Sequence, residues 1–376
     1  MSEKIKVGYE AKRVFQNFTG LGNYSRTLLE ILSEQQPDLE LHTFAPKRIQ
    51  NDRTAPFLQK PFFNHFAQSG SKSLWRSRGM VSDLIREDIQ VFHGLSHEIP
   101  FGIEKTSVKS VVTIHDLIFR RIPSDFKAID RWIYDIKFRS ACRRSDIVVA
   151  ISESTKKDIQ YFYKIPAEKI QVIYQTIDPQ FFRTPSEKVI LEIRKKLKLP
   201  EDYFLYVGSV IPRKNLKLIV EAYGHLNDPG FPPLLIVGDG GDYKKEVEKE
   251  IRKLGLEAQV RFLKADFFDL PVLYKEALAL CYPSKYEGFG LPLVESLASG
   301  SPVITFRGSS LPEAAGPGAL YLENQDAEEL ASLLKTLAED EGLRQKLSQA
   351  GALHIQKFEA SEIARQWAEL YQGLIV

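Results

Sequence analysis

The sequence predicts an α/β protein built from two parallel β-sheets, each flanked by helices. Its 376 residues exceed the usual size of one domain, which is about 100 to 200 residues. Short apolar runs bounded by turn residues alternate with stretches of helical period along the whole chain, as in repeated β-α-β units. The segment 176–186 contains Pro179 and Pro185 and separates two such series, so we interpret it as a linker.

The apolar runs predict about six strands on each side of this linker. The first series is 5–9, 39–44, 91–92, 111–114, 147–151 and 170–174. The second series is 204–207, 234–237, 260–262, 279–282, 303–305 and 320–321. The least regular region, 51–80, mixes aromatic with basic residues. We expect either an element that packs these aromatics inward or a surface that binds an acceptor or an anionic membrane.

Composition excludes several classes of protein. With 43% hydrophobic and 27% charged residues, the chain is neither collagen-like nor wholly disordered. Cys142 and Cys281 are its two cysteines and form no metal-binding motif, so we expect neither a disulfide framework nor a zinc site. No apolar run approaches the ~20 residues that span a bilayer, and the N-terminus lacks an apolar signal segment. We therefore expect a cytoplasmic protein.

The net charge of +2 hides an asymmetry between the halves. Residues 1–184 carry 28 Lys and Arg against 21 Asp and Glu, which is +7, and the remainder carries −5. The basic half is a candidate for anionic partners such as phospholipid headgroups. Its cations are dispersed and accompany no recognition motif, so we expect no nucleic-acid partner.

The segment 281–304 carries the strongest candidate site. An apolar strand is followed by a Gly-containing loop and then by a helix with Pro292 in its first turn and Gly300 after its end. Gly288 and Gly290 thus precede a helix N-terminus, where unpaired N–H groups and the positive end of the helix dipole favour a phosphate.

Two carboxylates, Glu287 and Glu295, flank this turn. The acid/base pair of a retaining glycosidase lies about 5 Å apart, whereas this spacing suggests about 10 Å. The pair better suits an elongated ligand with a phosphate in its middle and hydroxyl groups at both ends. An incidental surface Glu on a helix is the alternative.

A second candidate site lies in the segment 203–223. Gly208 follows a strand, and Arg213 and Lys214 precede a helix for which we expect Asn215 as the N-cap. Two cations at a helix N-terminus oppose the helix dipole unless both share an anion with it. A solvated basic loop is the alternative.

The N-terminal half offers weaker signals. Gly20 and Gly22 form part of an incomplete Gly-x-Gly-x-x-Gly loop before a helix that we expect Asn23 to cap, and no acidic residue supports an NAD site. His115 comes directly after a strand, at the edge where open α/β sheets bind ligands. A structural histidine is the alternative. His93 and His97 occupy a similar position and are possible acceptor-side residues.

In this order, the segments resemble the retaining GT-B glycosyltransferases of family 4 (glycosyltransferase group 1), and among these the mannosyltransferase-like members. The matching motifs cover nearly the whole chain: TGLGNYSR, TIHDL, AISESTKKDI, VIYQTIDPQFF, YVGSVIPRKNL, LLIVGDGG, EGFGLPLVE and ASGSPVI. The resemblance implies two Rossmann-like doubly wound domains that face a central cleft. The acceptor-side domain would be 1–184, completed by a C-terminal helix at 359–376 that crosses back to it, and the donor-binding domain 185–358.

The resemblance also implies roles for single residues. Arg213 and Lys214 would hold the donor diphosphate, Glu287 would contact the donor sugar, and His115 would lie beside that sugar; these four are the expected catalytic residues. Glu295 would bind the ribose. Together with Arg213, Lys214 and Glu287, the implied donor-binding set comprises Gly20, Gly22, Gly208, Gly288, Phe289, Gly290, Leu291 and Glu295.

The implied activity is transfer of a hexose, with mannose favoured, from a nucleotide-diphosphate sugar to a saccharide or lipid-linked acceptor in polysaccharide or lipopolysaccharide biosynthesis. GDP-mannose or a UDP-hexose is the expected donor. We expect no cofactor and no metal ion, because the cations can neutralise the diphosphate and no Asp-x-Asp motif is present. Peripheral contact with the inner face of the membrane would suit the basic half. A nucleotide-sugar epimerase, a phosphorylase and a non-catalytic nucleotide-sugar-binding protein are the alternatives.

Overall fold

The computed structural model describes residues 4–68 and 70–375, which form two compact units. The first unit contains the chain up to Thr176 and again from Phe358, and the second contains Ile177–Lys357. The first division falls inside the segment 176–186 that the sequence marks as a linker.

The described residues of the first unit form a seven-stranded parallel sheet with helices between the strands. Its strands are β1 Ile5–Glu10, β2 Leu39–Ala45, β3 Phe63–Phe66, β4 Val91–Gly94, β5 Lys109–Ile114, β6 Ile147–Ala150 and β7 Ile170–Val172. Its helices before the division are α1 Lys12–Gln16, α2 Gly20–Gln35, α3 Lys72–Leu74, α4 Met80–Arg86, α5 Ile118–Arg121, α6 Ala128–Arg144 and α7 Glu153–Tyr163. The strand order is β3-β2-β1-β4-β5-β6-β7, so it reverses between β1 and β4.

The described residues of the second unit form a six-stranded parallel sheet. Its strands are β8 Phe204–Val207, β9 Leu234–Val237, β10 Val260–Leu263, β11 Ala279–Tyr282, β12 Val303–Phe306 and β13 Ala319–Leu322. Its helices are α8 Glu187–Leu197, α9 Leu216–Leu226, α10 Asp242–Lys253, α11 Leu270–Lys275, α12 Leu291–Ala298, α13 Leu311–Ala315, α14 Ala327–Glu339 and α15 Glu341–His354. The order β10-β9-β8-β11-β12-β13 reverses between β8 and β11.

The twelve predicted strands are confirmed to within two residues at each end, but the prediction omits β3. This strand is four residues long and pairs only with β2 among the described strands. None of its residues is fully buried, so the strand does not require the apolar run by which the other strands are predicted. In the surrounding region, Phe57 and Phe62 pack into the core and Trp75 donates to the Asp83 carboxylate at 2.7 Å. These three aromatic side chains therefore pack inward, which is the first of the two expectations for the region 51–80.

The final helix, α16 Ala360–Gly373, packs against the first unit. Trp367 and Tyr371 are buried in the core of that unit, which also includes residues of α2. The Tyr371 hydroxyl hydrogen-bonds His93 Nδ1 at 2.8 Å, and the Trp367 ring stacks on the same imidazole with 4.4 Å between centroids. The predicted return of the C-terminal helix to the first domain is confirmed.

Replacing Trp367 by Ala should destabilise the first unit by about 3 to 5 kcal/mol, because it removes the largest fully buried side chain of this core and leaves a cavity. Urea unfolding followed by circular dichroism measures the loss. Leu353→Ala is the control, since that side chain is 70% exposed and its loss should change stability little. Equal unfolding midpoints for the two variants would contradict the packing described.

Candidate functional site

Two loops of the second unit meet where its strand order reverses. One follows β8 and contains the short 3₁₀ turn Pro212–Lys214, and the other follows β11 and leads to α12. The Lys285 N–H donates to the Arg213 carbonyl at 2.9 Å, and the Arg213 guanidinium donates to the Tyr286 carbonyl at 2.5 Å. The loops are thus joined at the carboxyl edge of the sheet, where open α/β sheets bind ligands.

One carboxylate oxygen, Oε1 of Glu287, lies at the centre of this junction. Arg213 Nη1 and Lys214 Nζ each lie 2.7 Å from it. The Ser284 hydroxyl donates to it at 2.6 Å and the Tyr282 hydroxyl at 3.1 Å. The side chains of Arg213, Lys214 and Glu287 are only 10–13% exposed, so the ions are largely shielded from water.

Burial and charge act in opposite directions on these groups. Burial alone would raise the pKa of Glu287, but the charges of Lys214 and Arg213 outweigh it and hold that pKa at about 2. Burial lowers the pKa of Lys214, and the Glu287 carboxylate opposes this effect. Lys214 also contacts the Tyr282 hydroxyl and lies over its ring, with Nζ 4.6 Å from the centroid. Glu287 is therefore an anion at neutral pH.

Serines from the loop after β12 fix the backbone around Glu287. The Glu287 N–H donates to Ser309 Oγ at 3.0 Å, and Ser310 Oγ lies 2.9 Å from the carbonyl oxygens of both Glu287 and Phe289. Gly290 then adopts φ +114°, a conformation in which other residues are strained, and α12 begins at the next residue. The predicted helix start after Gly290, with Pro292 in its first turn, is confirmed.

Glu295, on the second turn of α12, differs from Glu287. It is half-buried, and the Tyr274 hydroxyl donates to its Oε2 at 2.8 Å. Burial raises the pKa of Glu295 to about 7; Tyr274 lowers it and the charge of Asp178 raises it further. The helix thus carries one carboxyl group that can change its charge near neutral pH.

Two other predicted positions flank this junction. Gly208 directly follows β8 with φ +151°, and its N–H donates to the Val237 carbonyl at 3.0 Å. Asn215 is the N-cap of α9 by position, but its backbone is left-handed at φ +57° and its side chain makes no capping hydrogen bond. The predicted N-cap position of Asn215 is therefore confirmed, although its side chain does not cap the helix.

In the first unit, the prediction that Gly20 and Gly22 precede a helix capped by Asn23 is wrong. The helix begins at Gly20, so both glycines lie in its first turn. The capping group is the side chain of Asn17, which accepts from the Gly22 N–H at 3.0 Å. A Cβ atom on Gly22 would lie 1.8 Å from the Asn17 carbonyl oxygen, and this contact explains why glycine is required there.

The predicted histidines of the first unit are buried. His115 follows β5, and its Nε2 hydrogen-bonds the Leu95 carbonyl at 2.9 Å while its Nδ1 lies 3.1 Å from the Gln175 amide nitrogen. Burial lowers the pKa of His115 to about 4 and that of His93 to about 3. The His97 ring stacks on Phe138 with 4.1 Å between centroids. All three imidazoles are neutral at pH 7.

The structure brings one group of the predicted residues together in the second unit: Gly208, Arg213, Lys214, Glu287, Gly288, Phe289, Gly290, Leu291 and Glu295. Gly20, Gly22 and His115 lie in the first unit. The two glutamates hydrogen-bond four residues that are not predicted from the sequence, Tyr282, Ser284, Ser309 and Tyr274. Tyr282 ends β11 and Ser309 follows β12, so the carboxyl-edge rule applied to His115 would have singled out both.

Residues 4–68 and 70–375 are the part of the chain that the structure describes. No group of three or more His, Cys, Asp or Glu side chains in this part of the chain is arranged to hold a metal ion. No helix in it combines the length and the apolar character that crossing a membrane requires.

Comparison with known proteins assigns both units. The family model described as "Glycosyl transferases group 1" matches residues 189–354, and "Glycosyltransferase Family 4" matches residues 18–181. The chain belongs to the group 1 and family 4 glycosyltransferases. These matches confirm the resemblance that the motifs indicate, and they confirm that the protein is a glycosyltransferase.

Similar proteins refine the comparison. The chain is 27% identical to O-antigen chain mannosyltransferase B of Escherichia coli, over 76% of this chain and 74% of that protein. It is 31% identical to O-antigen chain mannosyltransferase RfbU of Salmonella typhimurium, over 64% of this chain and 63% of that one. The crystal structure of Anabaena HepE with UDP-glucose has a TM-score of 0.75 at 20% identity, over 98% of this chain and 100% of HepE. The predicted GT-B fold, with two Rossmann-like domains, is confirmed.

Replacing Glu287 by Gln should destabilise the second unit by about 3 kcal/mol at pH 7, because Arg213 and Lys214 would stay largely buried without their counter-ion. Urea unfolding measures the change. The matched control is Glu323→Gln, which removes the charge from an exposed pair whose partner Arg307 lies 2.6 Å away, and should cost less than about 1 kcal/mol. Equal losses in the two variants would contradict the shielded ion cluster.

Replacing Glu295 by Gln should make stability less dependent on pH. The folded pKa of about 7 exceeds the ordinary value of 4.5, so the unfolded chain loses this proton first and wild-type stability falls as pH rises from about 5 to 8. Gln does not ionise, so relative to wild type the variant should gain of the order of 1 kcal/mol over this range in parallel urea titrations.

Tyr274→Phe provides the complementary test of Glu295. It removes the hydroxyl that lowers the pKa of Glu295, so the fall in stability with rising pH should become larger than in wild type. A Glu295→Gln variant whose stability relative to wild type stays constant with pH would refute the raised pKa of Glu295.

Proposed function

We propose that the protein is a retaining hexosyltransferase that transfers mannose from a nucleotide-diphosphate sugar to a saccharide or lipid-linked acceptor. The observation that carries the proposal is the convergence of Arg213 and Lys214 on one oxygen of Glu287, beside the start of α12. The two O-antigen mannosyltransferases named above support mannose as the sugar and an acceptor of polysaccharide or lipopolysaccharide biosynthesis. GDP-mannose is the donor that we favour.

The ion cluster suits a donor diphosphate because its cations are already held in place. Arg213 is held by the Tyr286 carbonyl and Lys214 by Glu287, so little reorganisation is needed when the donor arrives. The α12 N-terminus adds the positive end of its helix dipole. These charges would also stabilise the nucleoside diphosphate as it leaves, without requiring a metal ion.

The two glutamates would then contact opposite ends of the donor. Glu287 is an anion and so a strong acceptor for hydroxyl groups of the sugar. Glu295 lies on the second turn of α12, with its carboxyl group near the charge of Lys214. It would accept hydrogen bonds from the ribose hydroxyls. The loop and helix-start residues Gly288, Phe289, Gly290 and Leu291 would line the sugar and phosphate, and Gly208 would leave room for the ligand next to β8.

From the first unit, His115 would lie beside the donor sugar, and the helix start at Gly20 and Gly22 would contact the phosphates. His115 is neutral, so it would act through its ring and hydrogen bonds rather than as a cation. One oxygen of Glu287 already has four partners, and this carboxylate is proposed to bind sugar hydroxyl groups rather than to attack the sugar. Retention is therefore proposed to follow a front-face transfer. The carboxyl edge of the first sheet would bind the acceptor.

The UDP-hexoses are the second candidate donor class, and the structure of HepE contains UDP-glucose. The identity of 20% supports a shared fold rather than a shared donor. A thermal-shift panel distinguishes the two: GDP-mannose and GDP should raise the melting temperature more than UDP-glucose and UDP. The opposite order would replace mannose by a UDP-linked hexose in the proposal.

Lys214→Ala should abolish most sugar transfer while the protein stays folded, since it removes a charge-assisted contact to the diphosphate worth about 1.5 to 3 kcal/mol, or roughly 10- to 100-fold in rate. Transfer of radiolabelled mannose from GDP-mannose to saccharide acceptors measures the loss. Lys217→Ala is the control, because Lys217 lies three residues later and is 41% exposed, paired with Glu221 and Glu250.

Near-normal turnover in Lys214→Ala would overturn the proposal. The alternatives give different products from a nucleotide sugar. An epimerase converts the donor to another nucleotide sugar without acceptor, and a phosphorylase releases a sugar phosphate when inorganic phosphate is added. A non-catalytic binding protein is stabilised by the donor but leaves it unconsumed. A transferase should hydrolyse the donor slowly when no acceptor is present. It should consume the donor faster, by sugar transfer, when an acceptor is added.

A further inference from the structure

The longest helix of the first unit carries an apolar stripe that faces solvent. Within α6, Ile129 is 59% exposed, Trp132 62% and Ile136 47%, and Ile133 is also exposed. These positions follow the i, i+3, i+4, i+7 spacing of one helix face. The buried residues of this helix, Phe138, Ala141 and Cys142, belong instead to its C-terminal half. We call Ile129, Trp132, Ile133 and Ile136 the α6 face.

Basic residues surround the α6 face. From Ile118 to Arg144 the chain has eight Lys and Arg against three Asp, a net charge of +5. Three of these cations pair with acids outside the segment, which leaves a surplus of two positive charges. One of these acids, Asp135, is paired with Arg120 at 2.7 Å and Arg139 at 2.9 Å. Lys127 and Lys137 are exposed at opposite ends of the stripe. An apolar strip with cations at its margin is complementary to a surface that is apolar beneath and anionic on top.

Exposed aromatic and basic side chains also occur on the neighbouring helices α5 and α7. Arg121 of α5 and Lys164 at the end of α7 lie 5.5 and 5.2 Å from the ring centroid of Tyr161, which is 62% exposed. Arg120 connects this group to α6 through Asp135. Tyr and Trp are the side chains enriched at the level of lipid headgroups, because each combines an apolar ring with a polar group.

We propose that the α6 face docks the first unit onto the surface of an anionic lipid bilayer. This deepens the proposed function, since it rests on a lipid-linked acceptor, and it locates the membrane contact on α6 rather than in the region 51–80. A second copy of the chain is the less suitable occupant. A symmetric contact would place the basic margin of α6 against an identical basic margin.

The α6 face is connected to the carboxyl edge of the first sheet. Lys137 Nζ lies 3.4 Å from Glu98, Arg76 joins Glu98 at 2.9 Å, and Arg76 joins Glu10 at 2.8 Å. Glu10 is the last residue of β1, one of the two strands between which the sheet order reverses. Docking through α6 would thus hold the proposed acceptor-binding edge close to the lipid headgroups, where a lipid-linked saccharide begins.

Vesicle binding tests the proposal directly. The full chain should co-float with vesicles of phosphatidylcholine containing about 30 mol% phosphatidylglycerol and bind pure phosphatidylcholine much less, with binding weakened by salt. The triple variant Ile129→Ser/Trp132→Ser/Ile136→Ser should lower the partition coefficient about tenfold or more, because these side chains supply the apolar contact. The control Phe268→Ser/Leu353→Ser changes side chains that are 79% and 70% exposed in the second unit and should bind like wild type.

Tryptophan fluorescence provides an independent reading. The chain has three Trp residues; Trp367 is buried, Trp75 is half-buried and Trp132 is exposed. Anionic vesicles should shift the emission to shorter wavelength in wild type, and Trp132→Phe should remove that shift. A shift that persists in Trp132→Phe, or equal vesicle binding by wild type and the triple variant, would overturn the proposal.

The remaining outcomes separate this proposal from the proposed function. If light scattering shows a wild-type dimer that the triple variant converts to a monomer, a second copy occupies the α6 face and the membrane proposal is wrong. If wild type transfers mannose to a water-soluble acceptor but does not bind anionic vesicles, only the membrane proposal fails. If it binds vesicles through α6 but transfers no sugar, the proposed function fails and the docking surface stands.

Discussion

The ion cluster at Glu287 depends on a constraint set by strand order. Parallel strands that are neighbours in the sheet end at the same edge, and the reversal between β8 and β11 directs their following helices away from each other and leaves a crevice between the two loops. Arg213 and Lys214 enter it from one loop and Glu287 from the other. The opposed charges make the arrangement stable enough to bury, and the serines after β12 hold the backbone that carries it. Topology, local hydrogen bonding and charge therefore converge on one site.

Two glutamates eight residues apart differ in charge because their electrostatic surroundings differ. Glu287 is adjacent to two cations and stays ionised, whereas Glu295 is partly buried beside a tyrosine and sits near its point of half-protonation at neutral pH. The same residue type thus supplies a permanent anion and a group whose charge responds to its surroundings. Occupation of the cluster by a diphosphate would add negative charge near Lys214 and would favour the protonated form of Glu295. If the proposed function is correct, donor binding would therefore be coupled to proton uptake by Glu295.

Sequence reasoning predicts what local patterns determine. The order of Gly290, Pro292 and Gly300 specifies a loop, a helix start and a helix end within one stretch, and the structure places all three as expected. Local patterns do not predict that Arg213 and Lys214 both contact one oxygen of Glu287, because Glu287 lies more than seventy positions from these two residues in the chain. The start of α2 is missed for a similar reason: the Asn17 side chain folds forward to cap it. β3 is missed because a short edge strand needs no apolar run.

The return of α16 affects the order in which the protein can be assembled on the ribosome. His93 and its surrounding core are synthesised early, yet their partners Trp367 and Tyr371 emerge only after the second unit. The second unit is continuous in sequence, so its sheet can form while the first unit still exposes the apolar surface that α16 will cover. During synthesis, the first unit is thus completed after the second, because its core closes only when α16 has emerged.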